Sequence, residues 1–272
     1  MQRSKVTLDG KVFNFVEYSS IVDCMTAPAL QSSYINRYDD SESWLGVSGG
    51  IPGLESALSD GWAKAKEVMA SLTLPEVEAP ESIRRRTVWG EDGDVLDMDR
   101  LREGRMDDCW SSRKRSMRRA PRTINLMADL GVLAGARGAD LFWRGAAYLL
   151  FTGMLEKAGY RVRIIAHLLS VRHSGKGPTI IKQVIKEADM PLDVSALASV
   201  VCLAGYKRYY WHQQYDAANS MSGEVNEWTP RVHEFLASAY PNEMHIHGNP
   251  RMRSAEHAIK WLEESIAAVT AG

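Results

Sequence analysis

The sequence predicts an α/β protein: a mostly parallel sheet with flanking helices, plus a smaller α/β region on its N-terminal side. Three observations predict it. The run Thr123–Asp129 reads as a buried strand, the stretch from Asp140 to Ala158 as a long apolar helix, and Val162–Leu169 as the next strand. Strand, long helix, strand implies a parallel pair joined by a right-handed crossover. A glycine-rich segment, Gly131, Gly135 and Gly138, joins the first strand to the helix. Apolar residues make up 45% of the 272, enough to fill a sizeable core.

In chain order, Val12–Tyr18 mixes aromatic and β-branched residues and predicts a first strand. Ser48-Gly49-Gly50 and Pro52-Gly53 mark a turn. Leu54, Leu58, Trp62, Ala65, Met69 and Leu72 then recur at spacings of three and four, one apolar stripe of a helix stopped by Pro75. Residues 73–83 hold two prolines and three glutamates and predict a linker. The chain therefore divides into an N-terminal strand and helix region with its linker, 1–83, and an α/β domain, 84–272.

Residues 84–122 alternate charge blocks, and the basic block from Arg113 to Arg122 is expected to be a solvated helix. In the helix from Asp140, Leu141, Phe142, Ala146, Leu149, Leu150, Met154 and Leu155 cover most of the circumference, which predicts deep burial. Asp140 stands where it can cap the start, and Gly159 where a left-handed cap ends it. The short polar connection Arg172–Pro178 leads into a strand at 179–185 and favours an antiparallel hairpin. Pro191-Leu192-Asp193 precedes a helix carrying Leu197, Val200, Val201 and Ala204. Met244–His247 reads as a short strand, and Ala255–Val269 as an amphipathic helix capped by Ser254.

Composition excludes several classes. Thirty-three basic side chains face 34 acidic ones, so bulk charge does not point to a polyanionic partner. The three cysteines, Cys24, Cys109 and Cys202, are scattered without a Cys-x-x-Cys pair, which disfavours a disulfide scaffold or structural zinc. Reduced, partly buried thiols are expected. The N-terminal stretch lacks the apolar run of a signal peptide, and no run of about 18 apolar residues predicts a membrane span. A cytoplasmic setting follows as the expectation.

Several motif-like segments fail on spacing. Gly175-Lys176 lacks the upstream glycine, the following hydroxyl and the helix that a phosphate loop needs. Gly131, Gly135 and Gly138 miss the dinucleotide fingerprint. Asp92, Asp94 and Glu103 occupy calcium-loop positions, but Leu96 and Asp97 stand where an oxygen ligand and a glycine are required. His245 and His247 alternate on a strand and share a face. With no third ligand evident, His257 on the next helix aside, a hydrogen-bonded surface pair is preferred over a metal site. No cofactor and no metal is therefore predicted.

Two candidate sites remain. One is basic: Arg84, Arg85 and Arg86, with Arg113, Lys114, Arg115, Arg118 and Arg119 behind Trp110. It could neutralise phosphates while the indole stacks on a base. Its ordinary alternative is a solvated face paired with the acidic residues 91–99. The other centres on Asp129, which ends the first strand beside the glycine-rich loop, where open α/β sheets gather ligands. Its ordinary alternative is a carboxylate that caps its own loop. Trp143, Arg144 and Asp193 belong to this candidate ligand or structural site. Arg144 lies in the first turns of an apolar helix, at its positive end, and calls for a carboxylate such as Asp129, Asp140 or Asp193.

The run Ile124–Asp129, then Gly145–Leu150, then Leu155–Val162 resembles the von Willebrand factor A-like, Rossmann-like fold, as found in bacterial chelatase-type proteins. Trp89-Gly90, Asp94, Gly104, Trp110, Trp143–Ala147 and Lys186–Asp189 also resemble a family of uncharacterised, mostly bacteriophage-encoded proteins, over roughly residues 84–215. That resemblance implies a bacterial or phage-infected host cell. A-type domains hold Mg²⁺ with Asp-x-Ser-x-Ser. Here Asp129 is kept, while Gly131 and Leu133 replace both hydroxyls, so the resemblance implies a scaffold with a degenerate metal site. The reading is a non-enzymatic protein-interaction module, with Tyr206, Tyr209, Tyr210 and Trp211 beside Lys207 and Arg208 as surface candidates and an unidentified protein as partner. The alternatives are a nucleic-acid-associated protein using the basic clusters, and an enzyme with its site near Asp129. No nucleophile–base pair is identified, so no catalytic residue is named.

Overall fold

The computed structural model describes residues 1–27, 41–65, 84–116, 122–131, 138–170, 177–211, 222–249 and 252–271. The expected linker at 73–83, Met69, Leu72, Arg118, Arg119 and the connection at 171–176 lie outside them. The strands are β1 (Gln2–Leu8), β2 (Lys11–Tyr18), β3 (Arg84–Gly90), β4 (Val95–Leu96), β5 (Trp110–Ser116), β6 (Thr123–Asp129), β7 (Arg161–Ser170), β8 (Thr179–Lys186) and β9 (Met244–His247). The helices are α1 (Ile21–Thr26), α2 (Glu42–Leu45), α3 (Gly50–Ser59), α4 (Met98–Arg102), α5 (Gly138–Lys157), α6 (Val194–Val201), α7 (Ser222–Ala237) and α8 (Ala255–Ala271), with a π-helix at Tyr206–Trp211.

The main sheet runs β1-β2-β8-β7-β6-β9. β6 pairs in parallel with both β7 and β9, and β2 with β8, while β1/β2 and β7/β8 are antiparallel. The fold is thus mixed α/β, with a six-stranded, mostly parallel sheet flanked by helices. The β6–α5–β7 unit and the β7/β8 hairpin match the periodicity that predicts them. β1 was not anticipated. It forms a two-residue hairpin with β2 through Asp9 (φ 46°) and Gly10 (φ 79°), the positive-φ pair that a tight primed turn requires. The strands at 2–18 therefore lie in the same sheet as those at 123–247.

Two expected elements differ. The stripe from Leu54 predicts a helix to Leu72, yet α3 ends at Ser59. Gly61 (φ 85°) breaks it there, and a Cβ at that position would come within 2.9 Å of Ser195. Trp62 and Ala65 are still buried, and Ala65 is helical again at the edge of the described residues, so the stripe is interrupted by a break at 60–64. The basic block at 113–116 belongs to strand β5, not to a helix. It pairs with β3, and β3-β5-β4 form a separate antiparallel sheet.

One face of the main sheet packs on α5, α6 and α8. The other is covered by α7, through Val232 and Leu236 against Phe13, Met127, Ile165, Leu169 and Ile180. In α5 every residue from Ala146 to Leu150, and then Phe151, is buried, which is what an all-round apolar helix needs. Gly159 (φ 92°) follows it in the left-handed region, the position where its Cβ-free backbone is required. Leu155 is fully buried, so Leu155→Ala is expected to cost roughly 2–5 kcal/mol by chemical denaturation. A denaturation curve matching wild type would show that α5 is not the packing centre.

Candidate functional site

Asp129 ends β6 and is 5% exposed. Its Oδ1 accepts the Gly131 backbone N–H at 2.6 Å, so the carboxylate folds back onto its own loop. Gly131 permits this, because a Cβ there would lie 2.8 Å from Oδ1. Arg144, in the second turn of α5, donates through Nη1 to the Gly131 carbonyl at 2.6 Å. The loop is thus gripped at both ends of one peptide plane region. Among the described residues Arg144 forms no ion pair with Asp129 or Asp193, and the side chain of Asp140 lies outside them. A backbone carbonyl takes Nη1 instead, and Nε is buried without a hydrogen-bond partner. Asp193 is occupied elsewhere, as the N-cap of α6, accepting from Ala196 N at 3.0 Å. Trp143 is half-buried and packs edge-on against Phe142.

The π-helix carries Lys207 and Arg208. Tyr206, Tyr210 and Trp211 are buried, as are Lys207 and Arg208, which corrects their reading as a surface aromatic patch. For two of them the polar end has a partner: the Tyr206 hydroxyl donates to Gln183 Oε1 at 2.5 Å, and Arg208 donates to the Trp44 carbonyl at 2.6 Å while stacking on its ring; Trp211 Nε1 is buried without one. Burial, reinforced by Arg208 and Arg144, pushes the Lys207 ammonium well below its ordinary range, with Asp129 opposing.

A-type Mg²⁺ does not fit this set. Position 131 offers no hydroxyl, one Asp129 oxygen is bonded to backbone, and the neighbouring groups are cations. Among the described residues no group of three or more His, Cys, Asp or Glu could hold a metal.

A histidine cluster lies across the same sheet end. His167, whose register partner on β6 is Asp129, brings its Nε2 within 3.2 Å of His233 Nε2 on α7. His233 stacks on His247 at 4.2 Å between ring centres. His245 instead bonds the Tyr240 carbonyl. The sequence pairs His247 with His245. The structure pairs it with His233, 14 residues upstream on a helix. One ring of the 3.2 Å contact must donate and the other accept, so the two cannot both be protonated. Burial lowers His167, and burial with its two histidine neighbours lowers His233 to about 2.

In the basic candidate, register sets Arg85 opposite Arg115, Arg86 opposite Lys114 and Thr87 opposite Arg113. The acidic segment beside it is engaged internally: Asp97, Asp99 and Asp108 pair with Arg100, Arg102 and Arg105. Trp89 stacks against Arg100 at 3.7 Å, and Trp110 is half-buried at the strand start.

Fold and site thus define a mixed α/β protein with a polar cluster at the ends of β6 and β7. The chain belongs to the family described as Domain of unknown function (DUF7192), whose profile matches residues 11–240. No curated protein and no solved structure matches it.

The histidine cluster gives a pH prediction. Groups whose folded pKa lies below the unfolded value of about 6.5 bind protons preferentially in the unfolded chain. Their contribution is complete above that pH and is lost as pH falls below it. Stability is expected to drop between pH 6.5 and 5 by on the order of 1 kcal/mol per pH unit from His233, with His167 acting in the same direction. His233→Gln should flatten the slope in thermal melts; an unchanged slope would assign acid lability elsewhere.

Proposed function

We propose that this chain is a non-enzymatic interaction module on a von Willebrand A-like scaffold, which docks a partner protein through the small sheet at 84–116. The observation that carries this is the clustering of exposed large apolar side chains there: Trp89, Val95, Met98 and Met106, between 37% and 68% exposed. Grouped exposed apolar residues mark interaction sites, and methionines suit adaptable ones. The basic ladder of β3 and β5 beside them calls for a partner with an acidic face. The A-like scaffold is supported by the parallel β6–α5–β7 unit, with its carboxylate at the strand end. The metal loop of that scaffold is here locked by Arg144 and Gly131. The blocks from Trp89 to Asp189 that resemble phage-encoded proteins support a phage-encoded chain working in the cytoplasm of its host.

A second reading has its own observation. Like charges opposite one another across a strand ladder are destabilising unless an anion is shared. Arg85/Arg115 and Arg86/Lys114 are two such pairs in succession, and a nucleic-acid backbone would neutralise both.

Affinity capture from the native host with the full chain tests the two. Met98→Asp with Met106→Asp should abolish recovery of a defined, stoichiometric protein partner without altering the melting temperature. Wild-type and variant recovering the same partner equally would sink the docking surface. For the second reading, filter binding to DNA and RNA should weaken steeply with salt. Absence of binding at low salt removes it.

A further inference from the structure

Among the described residues α7 is the only helix in the smaller of the two apolar clusters. Its buried apolar side chains, Val232 and Leu236, meet Phe13, Met127, Ile165, Leu169 and Ile180 there, apart from the larger core that holds α5. Trp228 and Phe235 add edge contacts to Phe13 and Phe15, at 5.1 and 5.3 Å between ring centres. Pro230 lies inside α7 and removes one of its backbone hydrogen bonds, so the helix depends on what it packs against. Its departure from the sheet would leave the core around α5 closed.

The polar part of this interface is a meeting of three rings from three elements: His233 on α7, His167 on β7 and His247 on β9. Nε2 of His233 lies 3.2 Å from Nε2 of His167, and its ring lies 7° from parallel to that of His247, with 4.2 Å between centres. His167 is 1% exposed and His233 8%. A first proton places a charge where water is excluded. A second removes the acceptor of the 3.2 Å contact, and a charge on His247 faces His233 across the stack. The surroundings compensate little. Asp129, His167, Lys182 and Glu17 are successive register partners across β6, β7, β8 and β2. Asp129 favours a proton on His167, but its Oδ1 is taken by the Gly131 amide, and Arg144 opposes it. Lys182 is paired with Glu17, Arg163 with Glu187 and Glu243, and His245 with the Tyr240 carbonyl. On α7 itself Arg231 pairs with Asp9, and Glu234 is exposed.

We propose that the three histidines make α7 an acid-released cover: neutral rings seat it on the sheet, and their protonation lifts it as a unit while the core around α5 stays closed. Acid lability of the whole chain follows from any buried histidine; release of one helix follows from where these three sit. Lifting α7 parts His233 from both other rings and returns all three to water, where each takes up a proton in its ordinary range, and that uptake drives the opening. In the seated state burial holds His233 down to about 2 and lowers His167 and His247. The cover is therefore fully held above about pH 6.5 and is lost progressively below it. Its release uncovers Phe13, Met127, Ile165 and Ile180, all fully buried while α7 is seated. None of these residues lies at 84–116, so the docking surface there and this cover can fail separately.

Amide hydrogen exchange of the full chain at pH 7 and pH 5, corrected for intrinsic rates, tests it. Protection of the α7 amides should fall by about twentyfold or more between the two, the factor set by one histidine that takes up its proton near pH 6.5 only in the open state. At pH 5 the α7 amides should exchange at least about tenfold faster than those of α5, β6 and β7, the mark of a local opening. One common protection factor for α7 and α5 at pH 5 would reduce the effect to unfolding of the whole chain and overturn the cover. His233→Gln keeps a hydrogen-bonding side chain without a proton site in this range, and should lose most of the fall in α7. A fall as large as in wild type would overturn the proposal as well. If the variant does not fold, the comparison of α7 with α5 in wild type decides alone.

Discussion

Helix α5 has no polar face to turn toward water. Ala146, Ala147, Tyr148, Leu149, Leu150, Phe151 and Leu155 point in all directions around its axis and all are buried. A helix of that kind can exist only if protein surrounds it. The sheet supplies one side, through β6 and β7, and α6 and α8 supply the others. The closeness is visible at Gly145, where any side chain would enter the backbone of α6. Tyr148 and Phe151 meet Trp261 of α8 in the same way, ring edge against face. Position and burial of the strand-end groups follow from this: once α5 is seated, Arg144 is carried inward with it and must find partners where it lands.

What it finds is a loop rather than a carboxylate. The Asp129 side chain turns back to the Gly131 amide, and Arg144 takes the carbonyl of the same residue. The two bonds are coupled through glycine, since a Cβ at 131 would collide with the carboxylate in that pose. A side chain at 131 would therefore force Asp129 out of this pose, so the glycine and the inward turn of the aspartate go together.

Much of this was legible in the sequence where a periodicity or a turn residue carried the signal. Thr123–Asp129, the helix ending at Gly159, the hairpin into β8, the Asp193 cap and Met244–His247 were all read from local pattern, and each has a local cause. The failures share a different cause. Tyr206–Trp211 alternates aromatic and basic residues and so reads as surface. Its burial depends on acceptors 23 and 164 residues away, at Gln183 and Trp44. His167 and His233 are 66 residues apart on a strand and a helix, and only the packing of α7 on the sheet joins them. Arg113–Arg115 has no strong strand preference; pairing with β3 decides its conformation. The apolar stripe beyond Leu58 shows the converse: burial continues across a break in the helix, because Gly61 redirects the chain while Trp62 and Ala65 stay inside.

Charge placement is part of how the main sheet is held together. Around the rim of the main sheet, cations are matched to anions: Arg163 with Glu187 and Glu243, Lys182 with Glu17, Lys186 with Glu156. Lys186 is as buried as Arg144, yet it has both a carboxylate and the Val162 carbonyl. Burial alone thus does not force a cation in this fold to go without a counter-charge; acidic residues are placed where they are needed. At the end of β6 a backbone carbonyl, that of Gly131, takes the place of the acid for Arg144. Beside the small sheet Asp97, Asp99 and Asp108 pair with Arg100, Arg102 and Arg105. At the rim, at the strand end and next to the small sheet, these cations are thus seated against acceptors that the fold itself holds in place.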